Sequence, residues 1–352
     1  KACFIAFTGT PLMKKEKSTA QKFGGIIQEA VYTIRQAVED GAVVPLLYEG
    51  RHHLFNVQEK PLNRYFDKVS APLSDYGKAA LKRKFSTKAA LNQADQVLYE
   101  RADDISEHFV ANYQGTGLKG QLVAPNRITA IKYKAYLDDI GKVSSELVMS
   151  PPDQREGTED AFTAIHDEVQ AFWKAMMDQY GSPKHYEKSL VSAFKKKEQP
   201  EILIVVDKLL TGFDAPCNSV MYLTRSLKEH GLLQAIARVN RLYPGKEYGL
   251  IIDYYGNLEQ LDTAMKVYAE ADAYAAEDLE GTVTNLKEEV AKLPQAHSEL
   301  WDIFKPVKNR YDEPAYEELL HDEALRHRFY DKLSVYARLL KLALSSLGFT
   351  EA

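Results

Sequence analysis

Apolar residues fall in two rhythms along this chain. Around residues 2–7, 42–48, 121–124, 202–206, 219–223 and 248–254 they run almost unbroken and are bounded by Gly, Pro or polar positions. Short runs of this kind predict strands buried on both faces. Elsewhere they recur every three or four positions, which predicts helices over 31–39, 127–137, 158–179, 183–197 and 232–241. The third of these carries Phe162, Ile165, Val169, Phe172, Trp173 and Met176 on one face. Gly41 stands just past the first, as a left-handed C-terminal cap. Residues 53–117 are polar with helical stretches and read as a helical insertion. After about residue 258 strand signals stop. Leu261, Ala264, Met265, Tyr268 and Tyr274 continue a helical period, and 283–293, 313–329 and 331–347 are predicted helical, with Pro294, Pro306 and Pro314 as breakers. Strands alternating with helices, then helices alone, predict an α/β fold built on a parallel sheet and followed by an all-α C-terminal domain.

Composition adds bounds. The 352 residues are 45% hydrophobic and 27% charged, ordinary for a soluble globular protein. No stretch approaches the roughly 18–20 uninterrupted apolar residues of a membrane span. The two cysteines, Cys3 and Cys217, exclude a disulfide framework and point to a reducing cytoplasm. A net charge of −5 neither advertises nor excludes a nucleic-acid partner, because a local groove can be basic in an acidic protein. Lys78, Lys82, Arg83, Lys84 and Lys88 form one basic run and Lys195, Lys196 and Lys197 a second, while 270–289 is acidic. The chain opens on Lys1-Ala2-Cys3-Phe4-Ile5-Ala6-Phe7, a strand already under way, which reads as a start inside a longer protein.

Two segments carry chemistry. In Gln234-Ala235-Ile236-Ala237-Arg238-Val239-Asn240-Arg241, helical spacing puts Gln234, Arg238 and Arg241 on one face. Two guanidiniums side by side call for an anion, and a triphosphate matches their paired donors; the alternative is a solvated arginine face on a surface helix. The second segment, Asp207-Lys208-Leu209-Leu210-Thr211-Gly212-Phe213-Asp214-Ala215-Pro216, directly follows a buried strand. Parallel sheets place ligands outside the carboxyl ends of their strands, so both segments are expected at that rim. Gly212 permits close backbone approach, Thr211 offers a hydroxyl, and Asp214 can orient Arg or water. The alternative here is a plain turn closed by Gly and Pro.

These segments resemble motifs V and VI of superfamily 2 helicases and translocases, and Phe7-Thr8-Gly9-Thr10-Pro11 is similar to motif III. The wording from Leu209 to Pro216, from Gln234 to Arg241, in Pro244-Gly245-Lys246-Glu247 and in Gly249-Leu250-Ile251-Ile252-Asp253-Tyr254 resembles the restriction (R) subunits of type I restriction-modification enzymes. So does the stretch 32–45 with Tyr48-Glu49-Gly50-Arg51. The resemblance covers about 2–56 and 119–265. It implies that 1–17 ends a first RecA-like lobe, 18–265 is the second RecA-like lobe with the insertion at about 53–117, and 266–352 is a C-terminal helical domain. It also implies an ATP-dependent double-stranded DNA translocase. Arg241 would be the arginine finger on the γ-phosphate, Arg238 a second phosphate contact, and Gln234 would place the phosphate or the attacking water. Thr211, Gly212 and Asp214 would couple nucleotide to DNA, with Thr8, Gly9 and Thr10 doing so from the first lobe. Pro125-Asn126-Arg127 looks like motif IV, so Arg127 is a candidate DNA-backbone contact beside the alternative of a helix-start surface residue. Lys82, Arg83 and Lys84 stand between phosphate contacts and a solvated helix face.

No GxxxxGK[ST] phosphate loop, acidic Walker B box or nuclease constellation is present. Gly115-Thr116-Gly117-Leu118-Lys119-Gly120 has the wrong spacing, and Asp322-Glu323-Ala324 matches an acidic box only by letters. The family pattern thus implies ATP and Mg²⁺ bound mainly by a preceding lobe, an inactive fragment in isolation, and modification and specificity subunits as partners. His52-His53, His166-Asp167-Glu168 and His321-Asp322-Glu323 lack the spacing of metal ligands, so no metal site is expected. The competing readings are another superfamily 2 remodeller or repair helicase, and a non-catalytic RecA-like scaffold.

Overall fold

The computed structural model describes residues 32, 34–51, 95–152, 160–196, 198–210, 212–227, 235, 237–257 and 283–346, with 34, 35 and 160–166 described by their backbone alone. The strand expected at 2–7, most of the insertion at 53–117 and the helical pattern at 258–282 lie outside them. The chain divides into two units: Lys1–Leu46 with Gly50–Val283, and Leu47–Glu49 with Thr284–Ala352.

The first unit is α/β. After a short helix α1 (Ile34–Glu39) come strand β1 (Leu46–Gly50), whose middle residues Leu47–Glu49 fall in the second unit, helix α2 (Asp95–Asn112), β2 (Lys119–Val123), α3 (Arg127–Ile140), β3 (Ser145–Val148), α4 (Asp160–Tyr180), α5 (Pro183–Lys196), β4 (Ile202–Val205), β5 (Asn218–Leu223) and β6 (Gly249–Asp253). The strands β3, β4, β2, β5 and β6 lie side by side in that order, every pair parallel. One row across the sheet runs Leu147, Ile204, Leu122, Tyr222, Ile252. All positions of β2, β4, β5 and β6 are buried, the signature of a sheet covered on both faces. This explains the unbroken run Ile202-Leu203-Ile204-Val205.

The helices bury matching stripes. In α2, Leu98, Ala102, Ile105 and Phe109 recur at three- and four-residue spacing, and all four are fully buried. Phe109 lies against the sheet where Gly120 leaves room: a Cβ there would stand 3.3 Å from both Phe109 and Tyr222. Helix α3 starts where Asn126 accepts a hydrogen bond from the Thr129 N–H and ends at Gly141, at φ 66°, whose N–H reaches Leu137 O. Gly41 likewise has a φ of 65°, as the cap reading requires.

The second unit holds Val283–Asn285 (β7), α6 (Leu286–Val290), α7 (Leu293–Asp302), α8 (Glu313–Leu320) and α9 (Glu323–Ser345). Its boundaries correct the sequence pattern. The expected helix at 283–293 begins as a strand, because Asn285 caps Lys287 N–H and starts the helix only at Leu286. Pro294 and Pro314 do not break helices; each sits in a first turn, where a missing N–H costs nothing. The last two expected helices part not at residue 330 but at Asp322, whose carboxylate caps α9 at Leu325 N–H. Phe304 joins α8 and α9 by edge-on contacts with Tyr316 and Phe329 at 5.2 and 5.5 Å.

Candidate functional site

The loop from β4 to β5 must return the chain from the carboxyl to the amino end of a parallel sheet. Val206 and Asp207 are still at the carboxyl rim, where the Arg225 guanidinium, following β5, donates to Val206 O at 3.2 Å and to Asp207 at 2.7 Å. Leu209 then takes a φ of 65°, unusual and strained for a branched side chain, and Gly212 takes 67° at no such cost. Phe213 and Ala215 turn inward and are buried, whereas Asp214 stays exposed. Phe194 packs 6.0 Å from the Phe213 ring, and the Lys195 ammonium lies 5.6 Å from its centre.

Arg238 and Arg241 meet this returning segment. Arg238 donates to Phe213 O at 2.8 Å. Arg241 forms a hydrogen-bonded ion pair with Asp214. Burial, then the nearby Arg241 charge, pull the Arg238 guanidinium below its ordinary pKa, and Asp214 opposes that shift. A cationic pair is thus gathered and only partly neutralised. The Arg241 and Asp214 side chains are 37% and 63% exposed, so their pairing is worth at most about 1 kcal/mol. A phosphate oxygen set could exchange for the carboxylate with little loss.

Two expectations change here. Ala235 is helical, but 237–240 form turns and Arg241 bridges Val43 in antiparallel fashion, with Val44 N–H donating to Asn240 O at 2.7 Å. The predicted helix therefore does not reach Arg241, and the two arginines converge through Phe213 and Asp214 rather than through one helical face. Tyr243 precedes Pro244, which disfavours helix at that residue. Secondly, the pair is not at the carboxyl rim. Gly249 N–H bonds Pro45 O at 2.9 Å, and Lys246 reaches Asn218, so this region borders the amino ends of β5 and β6. The carboxyl-end rule for ligand sites lends it no support; a crossover loop simply has to arrive at the other end.

What seats the arginine segment is Gly249. A Cβ there would lie 2.2 Å from Val239 O and 2.7 Å from its carbonyl carbon, so only glycine lets the 239 backbone lie on the start of β6.

Lys246 is the residue whose part the sequence left unassigned. Its ammonium donates to Asn218 O at 2.6 Å and Pro216 O at 3.1 Å, and burial, reinforced by Arg241, lowers its pKa to about 7. A lysine inside Pro244-Gly245-Lys246-Glu247, just before an apolar strand, was the available signal. Arg225 was also missed; its signal is a charged residue two positions past the end of a buried strand.

Arg127 begins α3 after β2 and donates to Pro151 O at 3.2 Å, beyond the end of β3. It lies on the Arg225 side of the sheet, apart from Arg238 and Arg241. Gln234, Thr211, Thr8, Gly9, Thr10, Lys82, Arg83 and Lys84 lie outside the described residues.

Residues 125–256 match a protein-family model described as type I restriction enzyme subunit R domain 3, and residues 1–79 one described as SWI2/SNF2 ATPase. The type I restriction enzyme HindI endonuclease subunit of Haemophilus influenzae is 30% identical over 82% of this chain and 26% of its own length. The type I restriction enzyme SauCOLORF180P endonuclease subunit of Staphylococcus aureus is 26% identical over 99% of this chain and 36% of its own. The chain thus spans about a quarter to a third of these relatives. Among solved structures, the ATP-dependent type ISP restriction-modification enzyme LlaBIII bound to DNA aligns at 12% identity over 85% of this chain and 21% of that one, with a TM-score of 0.38.

Proposed function

We propose, from the premise that this chain belongs to the type I restriction enzyme R-subunit family, that it supplies the second RecA-like lobe of an ATP-driven double-stranded DNA translocase. In this reading residues 1–17 end the first lobe, 18–265 form the second with an insertion at about 53–117, and 266–352 are a C-terminal helical domain. The observation that carries the reading is the arginine pair held by one returning loop, Arg238 on Phe213 O and Arg241 on Asp214.

The chemistry follows from charge. Hydrolysis of a γ-phosphate spreads negative charge over its oxygens as the bond to the leaving diphosphate lengthens. Guanidiniums fixed beside that charge stabilise it more than they stabilise bound ATP, which lowers the barrier. Arg241, half-buried and only loosely paired, reaches for the γ-phosphate. Arg238, anchored through a backbone carbonyl, holds a second oxygen, and Gln234 orients phosphate or water. As Arg241 leaves Asp214, the loop from Asp207 to Pro216 is released at one end of the sheet while its other end adjoins Arg225. That loop, with Thr211 and Gly212 in it, connects nucleotide state to DNA grip, and Thr8, Gly9 and Thr10 do the same from the first lobe. Arg127 takes a DNA phosphate.

The Mg²⁺ that accompanies ATP is held by phosphate oxygens, water and one or two carboxylates, and in this reading those ligands come mainly from the first lobe. The phosphate loop, the metal ligands and the nuclease belong to other parts of the subunit, and modification and specificity subunits complete the complex in the cytoplasm.

The test is Arg241→Ala in the complete restriction complex. DNA-stimulated ATP hydrolysis should fall by roughly 10³–10⁵ while DNA binding persists. Unchanged hydrolysis would turn the reading toward a RecA-like scaffold.

A further inference from the structure

We infer that Lys246 is a positioning residue for the arginine pair, locking the segment on which both guanidiniums rest. This rests on the proposed function and adds a residue to it. The segment from Phe213 to Asn218 is anchored at two ends. At its start, Phe213 O and the Asp214 carboxylate accept from Arg238 and Arg241. At its end, Pro216 O and Asn218 O both accept from the Lys246 ammonium, at 3.1 and 2.6 Å. Between them Asn218 N–H closes a turn on Ala215 O at 2.9 Å.

Lys246 is itself only 7% exposed, and it lies in the same stretch of chain as the arginines, between Arg241 and the strand β6. The result is a closed circuit. The 238–241 segment is held on β6 by the glycine gap at Gly249, β6 is preceded by Lys246, and Lys246 grips the loop that orients the two guanidiniums. Burying an ammonium is costly unless its donors are satisfied, and here two of its three donors find main-chain carbonyls, Pro216 O and Asn218 O. A lysine needed only for capping would serve at any of several strand starts; this one caps the segment that carries the finger's own acceptor. Lys119 at the start of β2 makes a similar pair of side-chain contacts, to Glu198 O and Pro200 O, while its main-chain N–H donates to Cys217 O at 2.8 Å, a bond that replacing the side chain leaves in place. It is a built-in control.

The experiment uses the complete restriction complex carrying Lys246→Met, Lys246→Gln, Lys246→Arg, Lys119→Met or Arg241→Ala. Steady-state DNA-stimulated ATP hydrolysis is measured below the unfolding temperature of every variant. Misplacing the reacting groups by about 1 Å costs on the order of 10²-fold, so Lys246→Met should lower kcat by about that factor with KM for ATP little changed. Lys246→Arg should restore part of kcat, and Lys119→Met should lower the unfolding temperature yet keep wild-type kcat. The inference is overturned if Lys246→Met keeps wild-type kcat while losing stability, or if Lys119→Met matches it in kcat. Should Lys246→Met not accumulate as folded protein, Lys246→Gln is read by the same criteria. Loss of activity in Arg241→Ala with full activity in the Lys246 variants would sink this inference alone; full activity in Arg241→Ala would sink the functional reading beneath it.

Discussion

Arg241 owes its place to a backbone that is fixed and a carboxylate that is not. The bridge to Val43 and the seat of Val239 on Gly249 set where its main chain lies; Asp214 merely receives its side chain in the open. A side chain at 249 has nowhere to go, since the atom it would meet at 2.2 Å is a main-chain oxygen rather than a yielding side-chain tip. Gly249→Ala should therefore destabilise the chain by about 1–3 kcal/mol, as other overpacked sites do, and should also depress DNA-stimulated hydrolysis in the complete complex. Chemical denaturation and the ATPase assay read the two effects separately. A variant as stable and active as the parent would show that the 239 backbone does not need this gap.

At the scale of elements, what could be read from the sequence was whatever depends on local pattern. The unbroken run at 202–206, the Asn126 cap before α3 and Gly41 after α1 each carry their own instruction, and each element formed within a few residues of expectation. What could not be read depends on partners distant in sequence. The 232–241 period looked helical throughout, yet its last residues answer to Val43 and Val44, nearly two hundred positions earlier. The same holds for α2, whose polar face hides a buried network. Arg51 pairs with Asp104 at 2.9 Å, Tyr254 OH donates to the same carboxylate, and His108 Nδ1 meets Tyr222 OH at 2.9 Å. Burial first, and then the Arg51 charge, hold His108 well below its ordinary value of 6.5, so it is neutral in the fold. The unfolded chain takes up a proton at this histidine as pH falls through 6.5 and the folded chain does not, so stability is full above that pH and declines below it. Unfolding midpoints taken from about pH 7.5 to about pH 5.5 should therefore fall more steeply for the parent than for His108→Gln. Parallel slopes would mean that His108 does not set the acid limit.

Over the whole chain, two units stand side by side in the sequence with different grammars, one a parallel sheet with covering helices and one helical after β7. The family match falls on the first, at residues 125–256, and includes the returning loop, both arginines and Lys246. Fold class and family were legible because they rest on apolar runs and on short motif wording. The orientation of the site was not, because a general rule about carboxyl ends cannot see where a crossover loop delivers its residues. The C-terminal helices were legible as helices but not in their boundaries, which Asn285 and Asp322 set by capping.

The most direct measurement is trapping of a transition-state analogue. The complete complex, bound to duplex DNA, is incubated with ADP and fluoroaluminate, which mimics the phosphoryl group in flight, and the trapped nucleotide is counted for the parent and for Arg241→Lys. A guanidinium fork that acts on developing γ-phosphate charge predicts firm trapping by the parent and loss of it in Arg241→Lys, with ATP affinity kept. Equal trapping by the two proteins would contradict it.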